Sequence, residues 1–97
     1  MELKRVVVTG LGAITPVGNS PEETWQNLVA GKSGAAPITQ FDTTNFKTKF
    51  ACEVKNLNVC DYLDRKEVRK MDRYTQLAMI SAIQGVKDSG LDLETVD

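Results

Sequence analysis

The chain has 97 residues, 41% apolar and 26% charged, with 12 basic against 13 acidic side chains. One small domain is the upper limit of that length, and an ordinary soluble globular composition is expected of it. The net charge of −1 and pI near 5.4 exclude bulk attraction to nucleic acid, so an anionic partner must be recruited locally.

The first element is Arg5 to Thr9, a β-branched run without alternation, as in a strand covered on both faces. The opening apolar run is too short for a secretory signal, no segment is long enough to span a membrane, and a cytoplasmic location is expected. A loop follows with Gly10, Gly12, Pro16 and Gly18. Gly10-Leu11-Gly12 after a strand has the start of a dinucleotide-binding turn, but Thr15 stands where the third small residue belongs, and Pro21 delays the helix. A tight structural loop is the better reading.

A helix then begins with Ser20 as N-cap, Pro21 at its first position and Glu23 closing a capping box. Trp25, Leu28 and Val29 form its apolar face, and Gly31 is placed to end it. Strand, glycine-rich turn and capped helix make the opening of a βα unit. Gly31 to Gly34 reads as a turn and Ile38 to Phe41 as a short extended piece. Alternation across Phe46, Thr48, Phe50 and Cys52 predicts a half-exposed strand or hairpin arm.

Asp64 and Glu67 can form a second capping box, opening a helix through Arg65 to Arg73, with a kink or restart near Asp72. On a continuous helix Arg65, Lys66, Arg69, Lys70 and Arg73 lie within an arc of roughly 140°, and Val68, Met71 and Asp72 fall outside it. That one-sided cationic face is a candidate docking site for something acidic. The bland alternative is a solvated surface with local pairs such as Asp61 with Arg65, Glu67 with Lys70 and Arg69 with Asp72, each worth tenths of a kcal/mol. Tyr74 is the only aromatic near, so stacking on single-stranded nucleic acid is not expected.

The helix continues to Ser89, with Gly90 as terminator. From Leu77 to Val86 only Gln84 is clearly polar, which predicts a helix buried on most sides. Ala78, Ser81, Ala82 and Gly85 are small enough for close helix contact. A strand and a helix that both want cover cannot find it within 97 residues. The expectation is the opening part, residues 1–97, of a larger α/β domain.

No internal catalytic site is visible. Cys52 and Cys60 show neither metal-ligand spacing nor a setting that lowers a thiol pKa, and there is no histidine to serve as base.

Taken in order, VVVTGLGAITPVG (Val6 to Gly18), the Trp25 to Gly34 segment, FDTTNFKTKFACEVK (Phe41 to Lys55), RKEVRKMDRYTQLA (Arg65 to Ala78) and KDSGL (Lys87 to Leu91) resemble the start of the elongating β-ketoacyl-acyl-carrier-protein synthases, type II in particular. The resemblance covers essentially the whole chain. It implies a thiolase-like five-layer α-β-α-β-α fold, incomplete in this chain, and a homodimer. The implied reaction is a decarboxylative Claisen condensation of malonyl carrier protein with a cysteine-bound acyl group, needing no metal or redox cofactor. The family's cysteine and two histidines come later than residue 97, so Cys52 and Cys60 match neither motif nor role. Acyl carrier protein is the implied partner, met by Lys66, Arg69 and Lys70 by motif position and by Arg65 and Arg73 through geometry. Cys52 departs from the pattern, standing where relatives commonly have a small residue. Two other readings stay open: a non-catalytic chain-length factor of the same superfamily, and a free-standing basic-helix module binding an acidic partner.

Overall fold

The computed structural model describes residues 1–96, and Asp97 lies outside the described residues. In chain order it contains α1 (Pro21–Val29), β1 (Ala36–Pro37), β2 (Phe50–Ala51), a 3-10 turn (Val59–Asp61), α2 (Arg65–Val68) and α3 (Arg73–Ser89). The two strands pair antiparallel, Ala36 opposite Ala51 and Pro37 opposite Phe50. The Ile38 N–H extends the ladder to the Lys49 carbonyl at 3.0 Å. No helix among the described residues is long and apolar enough to cross a membrane.

The radius of gyration is 17.3 Å, where a compact chain of this length would have about 12.5 Å. The molecule is therefore an open slab. Its apolar core consists of Ile80, fully buried, and Val59.

The Arg5 to Thr9 strand expected from sequence forms no ladder among the described residues, and Val6 and Val8 are 90% and 80% exposed. A buried strand needs a hydrogen-bonded neighbour on each edge and a layer on each face. Among the described residues Val6, Val7 and Val8 have neither, and it is the following segment, Gly10 to Ala13, that packs on α3. The segment runs antiparallel to that helix in a regular register. Leu11 N–H donates to Asp88 Oδ2 and Ala13 N–H to Gln84 Oε1, each at 3.0 Å. Two extended residues advance about 6.6 Å and one helical turn about 5.4 Å, so two steps on the segment match four on the helix. Contact this close requires glycine. A Cβ on Gly12 would overlap the Ser81 carbonyl oxygen, and one on Gly10 would overlap that of Gly85. The small residues of α3 thus receive the glycine segment, which accounts for Gly10 and Gly12 without a phosphate cradle.

The Leu77 to Val86 helix, expected to be buried on most sides, buries Ile80 alone, while Met79, Ile83 and Val86 are exposed. The reason is again missing cover on the far side of the layer. α1 has the same imbalance. Its polar edge is tied to the loop before it, with Thr24 Oγ1 3.0 Å from Thr15 Oγ1 and Asn27 Nδ2 donating to the Val17 carbonyl. Trp25, Leu28 and Val29 face outward uncovered. Its N-cap forms as expected, Ser20 Oγ accepting from Glu23 N–H at 3.1 Å, and Gly31 adopts φ +72° just beyond its end.

Lys55 joins the outlying pieces. Its Nζ donates to the carbonyls of Pro16 (3.2 Å), Gly34 (2.7 Å) and Glu53 (2.8 Å), while its own carbonyl accepts from Asn19 Nδ2 at 2.9 Å. The predicted arm from Phe46 to Cys52 is shorter than its alternation suggested. Asp42 Oδ1 accepts from both N–H and Oγ1 of Thr44, and Lys49 Nζ donates to the Thr43 carbonyl, so the chain turns before it can pair.

Candidate functional site

The cationic stretch is built from three backbone pieces, not one helix. α2 opens at Asp64, whose Oδ1 accepts from Lys66 N–H at 3.5 Å, and it ends after one turn. Lys70 N–H bonds Glu67 O at 3.0 Å and Met71 N–H bonds Val68 O at 3.2 Å. These three-residue spacings tighten and close the helix. Asp72 then returns to extended geometry (φ −68°, ψ 160°) and starts α3. The restart near Asp72 is observed; the uninterrupted cationic face is not.

That break regroups the five candidates. Arg65 and Lys66 lie in α2, Arg69 is its C-cap in right-handed helical geometry, and Lys70 lies in the turn that follows. All four are exposed. Arg73 belongs to the first turn of α3, so the helical-wheel argument for it fails. Its Nη1 donates to Gln76 Oε1 at 3.4 Å, and it lines a cleft with Thr39, Gln40, Glu53 and Asn58.

Gln76 was not singled out by sequence reasoning. Its Nε2 donates to the carbonyls of Val68 and Met71, both at 3.3 Å. Gln84, noted only as the polar exception of its helix, proves to hold two segments, since its Nε2 also donates to the Asn19 carbonyl at 2.7 Å. A polar residue at a small-residue helix face is the sequence signal for such a clasp; for Gln76 there was none beyond its place one turn after Asp72.

Cys52 and Cys60 are free and exposed, the first just after β2 and the second in the 3-10 turn. Neither is placed against a cation or a general base by any hydrogen bond described above. The geometry therefore defines a class: an open α/β layer whose chemical asset is a compact cationic protrusion.

The comparisons with known proteins say which class member. Residues 3–97 match the N-terminal domain of the β-ketoacyl synthases, and the chain belongs to that family. A 3-oxoacyl-[acyl-carrier-protein] synthase 2 of Staphylococcus aureus (strain COL) is 47% identical over 90 residues, covering 93% of this chain and 22% of that protein. The protein of the same description from Coxiella burnetii is 50% identical over 93 residues, covering 96% and 22%. A solved structure, the ishigamide ketosynthase/chain length factor, superposes with a TM-score of 0.83 at 38% identity, over 93% of this chain and 22% of its own. The chain thus spans about a fifth of the length of these relatives. Its fold is the corresponding part of the thiolase-like α/β architecture.

Proposed function

We propose that this chain is the opening part of an elongating β-ketoacyl-acyl-carrier-protein synthase, and that its own task there is to dock acyl carrier protein. The observation that carries the reading is the concentration of Arg65, Lys66, Arg69 and Lys70, 4 of the 12 cations and all exposed, into the six positions 65–70 of an acidic chain. Charges so placed act through steering and orientation of an acidic partner more than through raw affinity. Arg73 is a secondary contributor, because it faces the neighbouring cleft.

The reaction served is acyl transfer to a cysteine, loss of carbon dioxide from malonyl carrier protein, and attack of the resulting carbanion on the acyl thioester. The nucleophile and the groups that stabilise the enolate are supplied by residues outside these 97. A homodimer in the cytoplasm, with neither a membrane nor a nucleic acid as partner, completes the reading. The 47–50% identity to synthase 2 proteins supports the catalytic assignment.

The test uses a chimeric synthase in which this segment replaces the matching 90 residues of the Staphylococcus aureus relative. Charge reversal of Lys66, Arg69 and Lys70 raises KM for carrier-linked substrate about tenfold or more and flattens its dependence on salt. A small pantetheine thioester, lacking the acidic protein, is used as before. Unchanged KM and salt dependence refute docking at this surface.

A further inference from the structure

We infer that Gln76 is a positioning residue for the carrier-protein surface, an inference that rests on the docking reading above. The cations sit on a helix of one turn and a short turn after it, and neither is stable by itself. A docking surface made of such pieces needs an external brace to keep its charges in register.

Gln76 stands one helical turn into α3, half-buried, and its amide meets both ends of the Arg69 to Met71 turn. Val68 O, the last carbonyl of α2, accepts Met71 N–H at 3.2 Å and Gln76 Nε2 at 3.3 Å. Met71 O, the last carbonyl before the restart, accepts the same nitrogen at 3.3 Å. The two N–H groups of one amide therefore span the turn that carries Arg69 and Lys70. On its other side Oε1 accepts from Arg73 Nη1 at 3.4 Å. Each bond lies just beyond the normal range of about 2.7–3.2 Å, so the brace works by joining three points and not by the strength of any one. It also explains why a long amide side chain occupies this half-buried position of α3.

The balance of donor and acceptor separates this role from a simple contact with Arg73. In Gln76→Glu the carboxylate keeps an acceptor for Arg73 but confronts two carbonyls with no donor. In Gln76→Leu both functions vanish at similar volume. Gln76→Asn falls one methylene short of the turn and serves if the Leu variant misfolds.

In the chimeric synthase, the Glu, Leu and Asn variants are compared with Lys66→Glu and Lys70→Glu. The expected result is a KM for carrier-linked substrate raised about three- to tenfold in every Gln76 variant. kcat changes less than twofold, the salt slope falls, and the pantetheine thioester is turned over as before. If the lysine variants raise KM and the Gln76 variants do not, the brace is overturned while docking stands. A neutral Gln76→Glu beside a damaged Gln76→Leu overturns the bridging of the two carbonyls and leaves only the contact to Arg73. Equal losses with carrier protein and pantetheine thioester mark a merely structural role and also overturn the inference. Insensitivity of the lysine variants overturns the docking reading itself.

Discussion

Two glycines that face each other should respond to the same substitution with opposite signs. At Gly12 an added Cβ overlaps the Ser81 carbonyl oxygen and lies 2.8 Å from Gly85 N, both backbone atoms of α3 that cannot rotate away. The segment must lift by about 1 Å, which costs about 1–3 kcal/mol as overpacking. Lifting also weakens the Leu11–Asp88 and Ala13–Gln84 bonds, about 1 kcal/mol each. Against this, replacing glycine by alanine reduces the freedom of the unfolded chain by about 0.4–1 kcal/mol. Gly12→Ala is therefore destabilising by about 2–4 kcal/mol. At Gly85 the built Cβ lies 3.6 Å from Gly12 N and 3.8 Å from Leu11 C, ordinary contact. Gly85→Ala gains helix propensity worth about 0.8–1 kcal/mol and should be neutral or stabilising. Urea unfolding of the chimeric synthase, followed by circular dichroism, reads both. If Gly12→Ala is as stable as Gly85→Ala, the close contact between segment and helix is wrong.

Two further substitutions probe the same framework. Lys55→Met keeps the stem but leaves the Pro16, Gly34 and Glu53 carbonyls without their shared donor, and should cost about 2–3 kcal/mol in the same unfolding assay. Retained stability would mean water replaces the ammonium at no loss. Asp42 titrates below its ordinary value of 3.8, chiefly because the Thr44 hydroxyl bonds its carboxylate and secondly because the Thr44 N–H does. A depressed folded pKa stabilises the loop fully above 3.8 and loses that contribution as pH falls through the folded value. NMR titration of Thr44→Val should move Asp42 upward toward the ordinary value; no movement would remove the hydroxyl as the cause.

Local chemistry was legible because its causes are local. Ser20 marks a helix start through its side chain, Asp72 through an extended backbone without a side-chain cap bond, and Gly90 ends α3 in left-handed geometry; the structure places α1 and the two ends of α3 accordingly. The four cations of α2 and its turn were visible as residue types, since nothing in their neighbourhood is needed to make them charged. The wheel argument that grouped Arg73 with them does not hold, because a wheel assumes one continuous helix. Where the backbone tightened into three-residue bonds after Val68, the angular relation was lost. The brace at Gln76 depends on two carbonyls that such a break exposes, and no periodicity announces it.

Composition and order of residues by themselves determined the ends of α1 and α3, the exposed cationic stretch and the hunger of Val6 to Val8 and of α3 for cover, because these follow from side chains and short-range backbone preference. Tertiary structure alone decided that α3 receives the glycine segment on Ser81, Gly85 and Ser89, that Leu11 reaches Asp88, and that Lys55 and Gln84 tie distant carbonyls together. Those contacts join residues up to 77 positions apart, and their geometry exists only once the backbone groups they satisfy have been brought within hydrogen-bond reach.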